Sequence, residues 1–199
     1  MTNFLLVAVV VLTIAVALLF LMTLALAREI GRVQVRLGPL GARMMDTGPK
    51  IEQAGPSFSG LVDHLGRSVK VGGHRDKPQL LMFTAPSCST CKSLLPGLRA
   101  MARAESDLDV VIISDGTPEE HQQFLAGANI GTELSYVDAR DVGIAYQVGT
   151  TPYGVILDEH GKIRGKGLTN HMAQVESLLN ALESGTPSLQ HLHAQAKSA

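Results

Sequence analysis

Leu80-Leu81-Met82-Phe83 is an uninterrupted apolar run, and five residues beyond it the only two cysteines of the chain stand as Cys88-Ser89-Thr90-Cys91. After the motif, apolar residues recur at Cys91, Leu94, Leu95, Leu98, Met101 and Ala102, the spacing of one helix face. A buried strand is therefore expected to lead through Thr84-Ala85-Pro86-Ser87 into a helix. Cys88 then falls at the helix N-terminus and Cys91 one turn in, on the apolar side. The unpaired N–H groups and the positive dipole end stabilise a thiolate at Cys88. A cysteine so placed has its pKa lowered from ~8.5. Cys91 is placed to attack a mixed disulfide formed at Cys88 and to release the partner. Cys88 is thus the candidate attacking thiol and Cys91 the candidate resolving one. Two other uses compete: a pair of inert buried thiols, or half of a metal site. A zinc site usually takes four ligands, and there is no second C-x-x-C. His191 and His193 read as part of a solvated tail, so neither a metal nor any other cofactor is expected beyond the dithiol itself.

Along the chain, Phe58 to Val71 reads as a hairpin around His64-Leu65-Gly66-Arg67. The strand Gln79–Thr84 and a helix from Ser87 to about Ala104 follow, with a kink expected at Pro96. Asp109–Ser114 reads as a second buried strand. Thr117-Pro118-Glu119-Glu120 has the cap, the N1 proline and the N3 glutamate that open a helix, and Gly127 stops it. Tyr136-Val137 is a short strand, and Asp138 is the expected cap of a short helix through Tyr146. Gly149-Thr150-Thr151-Pro152 leads into the strand Tyr153–Leu157. Asp158-Glu159-His160-Gly161 turns it back into Lys162–Lys166. Asn170 is expected to cap the last helix, which Gly185 and Pro187 end. The order β-β-β-α-β-α-(β)-α-β-β-α predicts an α/β domain, a central sheet with helices on its faces.

Phe4 to Ala27 is uncharged and almost wholly apolar. Its 24 residues would span ~36 Å as a helix, against a hydrocarbon core of ~30 Å. A transmembrane anchor is expected rather than a cleaved signal peptide, because the stretch is long and Met1-Thr2-Asn3 carries no Lys or Arg. Residues 28–55 read as a linker, punctuated by Gly38-Pro39, Gly48-Pro49 and Gly55-Pro56. Residues 56–185 form the domain and 186–199 a flexible tail. Arg28, Arg32, Arg36 and Arg43 follow the anchor, which by the positive-inside rule favours a cytoplasmic domain. A dithiol serving exported proteins favours the periplasm instead. Net charge is −1 over the 199 residues, so nothing points to nucleic acid.

A strand, C-x-x-C at a helix start and a Thr-Pro before a hairpin and final helix resemble the thioredoxin fold. Pro96 matches that family's kink proline. Thr151-Pro152 matches its cis-proline loop, which the resemblance places against the active-site disulfide as a substrate-binding element. The runs F-T-A-P-S-C-S-T-C-K-S-L-L-P, S-D-G-T-P-E-E-H and A-Y-Q-V-G-T-T-P-Y-G-V-I-L-D-E-H-G-K-I-R-G-K-G-L are similar to the MauD family of methylamine utilisation proteins. So is the apolar N-terminus followed by R-L-G-P-L-G-A-R. That resemblance implies a membrane-anchored thiol–disulfide oxidoreductase or isomerase. It would assist maturation of the methylamine dehydrogenase small (β) subunit, an exported, disulfide-rich protein. It also implies a location at the inner membrane with the catalytic domain in the periplasm, and a membrane redox partner that resets the dithiol. Thioredoxin's buried carboxylate is replaced by Met82, which speaks against a general cytoplasmic reductase. Thr84 and Cys88 are one residue too far apart for the Thr-x-x-Cys of peroxidases of this fold. A general periplasmic thiol reductase for cytochrome c or copper-protein assembly, and a non-catalytic anchored chaperone, stay open as alternatives.

Overall fold

The structure is a computed structural model that describes residue 4, residue 6, residues 12–23 and residues 48–184. The chain divides into two compact units, Met1–Leu40 and Gly41–Ala199. In the first, residues 12–23 are helical and display apolar side chains outward, among them Leu12, Ile14, Leu18 and Phe20. Among the described residues no helix is long and apolar enough to cross a membrane. The remainder of the expected anchor Phe4–Ala27 lies outside the described residues, as do most of the expected linker and the expected tail.

In the second unit, β1 (Phe58–Val62) and β2 (Ser68–Val71) form an antiparallel hairpin. Asp63 fixes its turn by accepting the N–H groups of Leu65 and Arg67 through Oδ1, at 2.9 and 2.8 Å. The main sheet has five strands in the order β5-β4-β3-β6-β7. They are β3 (Gln79–Thr84), β4 (Asp109–Ser114), β5 (Ser135–Asp138), β6 (Tyr153–Leu157) and β7 (Ile163–Leu168). β3, β4 and β5 are parallel; β6 is antiparallel to β3, and β7 to β6. The sheet is therefore mixed, and β3 is its central strand.

Both faces of that sheet are covered, which is why β3 and β4 read as continuous apolar runs rather than alternating ones. The period of two still sorts their side chains. Leu80, Met82, Val110 and Ile112 pack with Leu94, Leu95 and Leu98 of α1 (Ser89–Ala104), Phe124 of α2 (Pro118–Gly127) and Val175 and Leu178 of α4 (Met172–Ser184). Leu81, Phe83, Val111 and Ile113 pack with Val69 and Val71 of the hairpin and Val142 and Tyr146 around α3 (Arg140–Ala145). Helix α1 runs through Pro96 without interruption. The box expected at Thr117 is complete: Glu120 N–H donates to Thr117 Oγ1, and Thr117 N–H donates to Glu120 Oε2.

Three local expectations are corrected. Asp138 does not cap α3. It ends β5 in register with Ser114, and its Oδ1 lies 3.0 Å from His121 Nε2, so its carboxylate is engaged toward α2. Ala139 stands at the cap position without a side-chain bond. α4 starts at Met172, so His171 rather than Asn170 is the residue before it, and the His171 N–H donates to Gln174 Oε1 at 3.2 Å. The folded unit also begins before Pro56. Glu52 N–H donates to Ile163 O, Ile163 N–H to Gln53 O and Gly55 N–H to Gly161 O, all within 3.0 Å. Ala54 bridges Lys162, and Glu52 pairs with Lys162 and Arg164. Residues 51–55 thus cover the outer edge of β7, which would otherwise present unpaired backbone groups.

Candidate active site

The site is built at the C-terminal ends of the parallel strands, where chain leaving a strand must turn and is free to carry chemistry. β3 ends at Thr84, and four residues later Cys88 is the N-cap of α1. Cys88 has extended backbone angles and donates its own N–H to Ala85 O at 3.0 Å. Its Sγ accepts the Cys91 N–H at 3.1 Å, so the sulfur itself occupies the place of a capping oxygen. Cys88 and Cys91 are joined as a disulfide with Cα atoms 5.3 Å apart. Cys88 is half-buried, whereas Cys91 is 2% exposed. Cys88 is thus the more accessible residue of the pair and Cys91 the enclosed one. Among the described residues, no group of three His, Cys, Asp or Glu is placed to hold a metal ion.

The second element of the site is Gly149-Thr150-Thr151-Pro152, before β6. The Thr151–Pro152 bond is cis. Thr151 is exposed and Pro152 buried. β6 lies directly beside β3, with Tyr153 paired to Phe83, so this loop and the cysteine loop leave the same end of adjacent strands. Thr84 and Ala85 on one side and Thr150 and Thr151 on the other line a single cleft of about 380 Å³. Next to Pro152, burial pushes the Tyr153 phenol up to about 12, so it stays protonated across the physiological range. Met82 is fully buried, so the interior under α1 carries a thioether at this position.

A further contact was not visible in the sequence. A Cβ added at Gly116 would lie 2.8 Å from Pro86 Cγ and 2.9 Å from Cδ. Thr84 and Ser114 are partners in the parallel ladder, so Pro86 and Gly116, two residues beyond each, come side by side. The turn before α2 thereby buttresses the loop that delivers Cys88. Gly116→Ala is expected to cost about 1–3 kcal/mol through overpacking. It should also slow reduced Cys88 severalfold against a small aromatic disulfide; a rate equal to the parent's would show that the loop does not depend on this contact.

Residues 51–166 match the AhpC/TSA family. The chain is 47% identical over 174 residues to the methylamine utilization protein MauD of Paracoccus versutus, covering 87% of each chain. It is 45% identical over 199 residues to MauD of Paracoccus denitrificans, covering 99% of this chain and 98% of that one. Among solved structures, the thioredoxin domain of a thiol-disulfide oxidoreductase from Bacteroides vulgatus superposes with a TM-score of 0.56 at 19% identity, over 66% of this chain and 97% of that one. The exposed lipoprotein thioredoxin of Streptococcus pneumoniae superposes at 0.55 with 18% identity, over 63% and 99%. At such identities these structures establish a thioredoxin-like fold for the domain.

Proposed function

The chain belongs to the MauD family of methylamine utilisation proteins and to the wider AhpC/TSA family, and from that premise we propose that it is a membrane-anchored thiol–disulfide oxidoreductase serving an exported client. The observation that carries the reading is the Cys88–Cys91 disulfide at the start of α1, one cysteine partly exposed and one enclosed.

The chemistry follows from that asymmetry. With the pair oxidised, a client thiolate attacks Cys88 Sγ, the Cys88–Cys91 bond breaks, and Cys91 leaves as a thiolate that takes up a proton. A second client thiolate then attacks the client sulfur of the mixed disulfide. The client gains a disulfide, and the protein is left with two thiols and two more electrons. A membrane redox partner accepts those electrons and two protons and restores the disulfide. With the pair reduced, Cys88 thiolate attacks a client disulfide instead, and Cys91 or a client thiol resolves the adduct; the same site then reduces or isomerises. The exposed Thr151 backbone beside the cis-proline is suited to pair with an extended client segment. The family points to the small (β) subunit of methylamine dehydrogenase as that client.

Trapping tests the reading. Cys91→Ser removes the resolving thiol, so the protein is expected to accumulate mixed disulfides through Cys88. The methylamine dehydrogenase small subunit should be among the adducts. Adducts with small thiols alone, seen by mass spectrometry, would count against a protein client.

Location is part of the same proposal. Phe4–Ala27 is long enough to span a bilayer and would tether the domain to the inner membrane. Four arginines follow it, a bias that favours the cytoplasm. That bias acts mainly over short loops, and the segment from Arg28 to Ala199 is 172 residues long. Disulfides made for an exported client persist in the periplasm. A reporter active only in the periplasm, fused after Ala199, is expected to work. Activity from a cytoplasm-only reporter alone would remove both the location and the client, leaving the dithiol chemistry intact.

A further inference from the structure

The cleft lined by Thr84, Ala85, Thr150 and Thr151 has a far wall that the disulfide and the cis-proline loop do not explain. It is formed by Asp115 after β4 and by Arg140, Ile144 and Val148 in and after α3. Helix α3 is held to the sheet by Val142, 1% exposed, and by Tyr146 just beyond its end, fully buried. Ile144 lies between them in sequence and is 64% exposed, among the most exposed large apolar side chains of the domain. Val148 is partly buried against the core beneath, so the cleft has an apolar floor and one apolar side chain standing over it.

The charges on the wall are unequal in their surroundings. Asp115 lies two residues before Thr117, the N-cap of α2, on the side where a negative charge is offset by the helix end. Arg140 opens α3, where a positive charge receives no such offset. Among the described residues no ion pair involves Arg140. The same cleft is lined at its other end by Thr84 and Ala85, which lead into the loop that carries Cys88, and by Thr151, which precedes the cis-proline.

Resting on the oxidoreductase reading, we propose that this wall selects the client. It receives an extended cysteine-bearing segment with an apolar residue beside the cysteine, seated against Ile144 and Val148. An acidic residue farther along that segment pairs with Arg140. Arg140 and Ile144 are then specificity-determining residues that take no part in the electron transfer.

The test uses the full-length reduced Cys91→Ser protein and short cysteine peptides activated as mixed disulfides with an aryl thiol. Cys88 thiolate attacks the peptide sulfur, a Cys88–peptide disulfide forms, and the aryl thiolate leaves and is read by its colour. Peptides carry Leu or Ser beside the cysteine and Glu or Lys farther along. Each rate is divided by that peptide's rate with free glutathione, which removes its intrinsic reactivity. The Leu/Glu peptide is expected to react about fivefold faster than the Leu/Lys one, the size of one exposed ion pair. Arg140→Glu should reverse that preference and Arg140→Lys should keep its direction. Ile144→Asp should abolish the preference for Leu over Ser. Equal normalised rates for all peptides, or a charge preference untouched by Arg140→Glu, overturn the proposal while the oxidoreductase reading stands. A Cys88 that reacts with no peptide overturns both.

Discussion

Reduced and treated with iodoacetamide at neutral pH, the protein is expected to lose its Cys88 thiol at least about tenfold faster than its Cys91 thiol. Two features of the site act in the same direction. Cys88 is half-buried and open to reagent, while Cys91 is enclosed beneath it at 2% exposure. Cys88 Sγ also accepts the Cys91 N–H at the first turn of α1, a bond that strengthens when the acceptor becomes charged. Helix-end N–H groups and dipole favour the thiolate at Cys88, the N-cap. Met82, fully buried in the core with Leu94, Leu95 and Leu98 of α1, supplies no carboxylate there. The pH profile of alkylation should therefore rise earlier for Cys88, with its midpoint below the ~8.5 of a free cysteine. Peptide mapping after a short pulse reads both rates in one sample. Equal labelling of the two thiols would withdraw the assignment of Cys88 as attacking thiol and Cys91 as resolving thiol, and with it the trapping experiment.

The cysteine pair was legible because everything that places it is local. Four apolar residues, a short connector and a helical apolar period fix the sulfurs relative to one helix end, and no distant contact is needed to read them. The capping box at Thr117 was legible for the same reason. Asp138 was misread because two local rules apply to it: an acidic residue before a helix suits a cap, and it suits a strand end equally. Pairing across to His121 decides between them, and that pairing depends on where α2 packs. Residues 51–55, Ile-Glu-Gln-Ala-Gly, carry no strand signal, having no alternation and being bracketed by Gly-Pro pairs. They join the sheet edge because Ile163 offers free backbone groups there, which the sequence of the segment itself does not announce. The far wall of the cleft was invisible on both counts. Arg140 and Ile144 read as ordinary members of a short helix until the burial of Val142 and Tyr146 fixes which side is left outside. The contact of Gly116 with Pro86 likewise appears only when the register of β3 against β4 is known.

Gly72→Ala is expected to cost about 4 kcal/mol of stability, several times more than Gly60→Ala at a backbone angle of the same kind. Gly60 has φ +79 within the bulged stretch of β1, and nothing lies within 4 Å of where a Cβ would stand. Alanine there bears only the penalty of the left-handed region, about 1–2 kcal/mol. Gly72 has φ +66, and its Cβ would sit 2.3 Å from the Pro56 carbonyl oxygen and 3.0 Å from the Tyr146 hydroxyl. Those two atoms are partners: the fully buried Tyr146 donates its O–H to Pro56 O at 2.8 Å. The Gly72 N–H donates in turn to Gln79 Oε1 at 3.0 Å, which joins the hairpin to the first residue of β3. A methyl group at Gly72 therefore cannot be met by moving one flexible side chain. The Pro56 carbonyl must shift, and the Tyr146 hydroxyl then loses its acceptor inside the core, which adds about 1–3 kcal/mol to the overpacking. Tyr146→Phe separates the two contributions, since it deletes the hydroxyl and leaves the space, and should fall between the two glycine variants. Urea unfolding of the oxidised protein, read at constant m-value, gives all three differences. If Gly72→Ala and Gly60→Ala lowered the midpoint equally, backbone angle alone would govern both sites. The junction of residues 55–56 with the hairpin and α3 would then contribute little to holding the domain together.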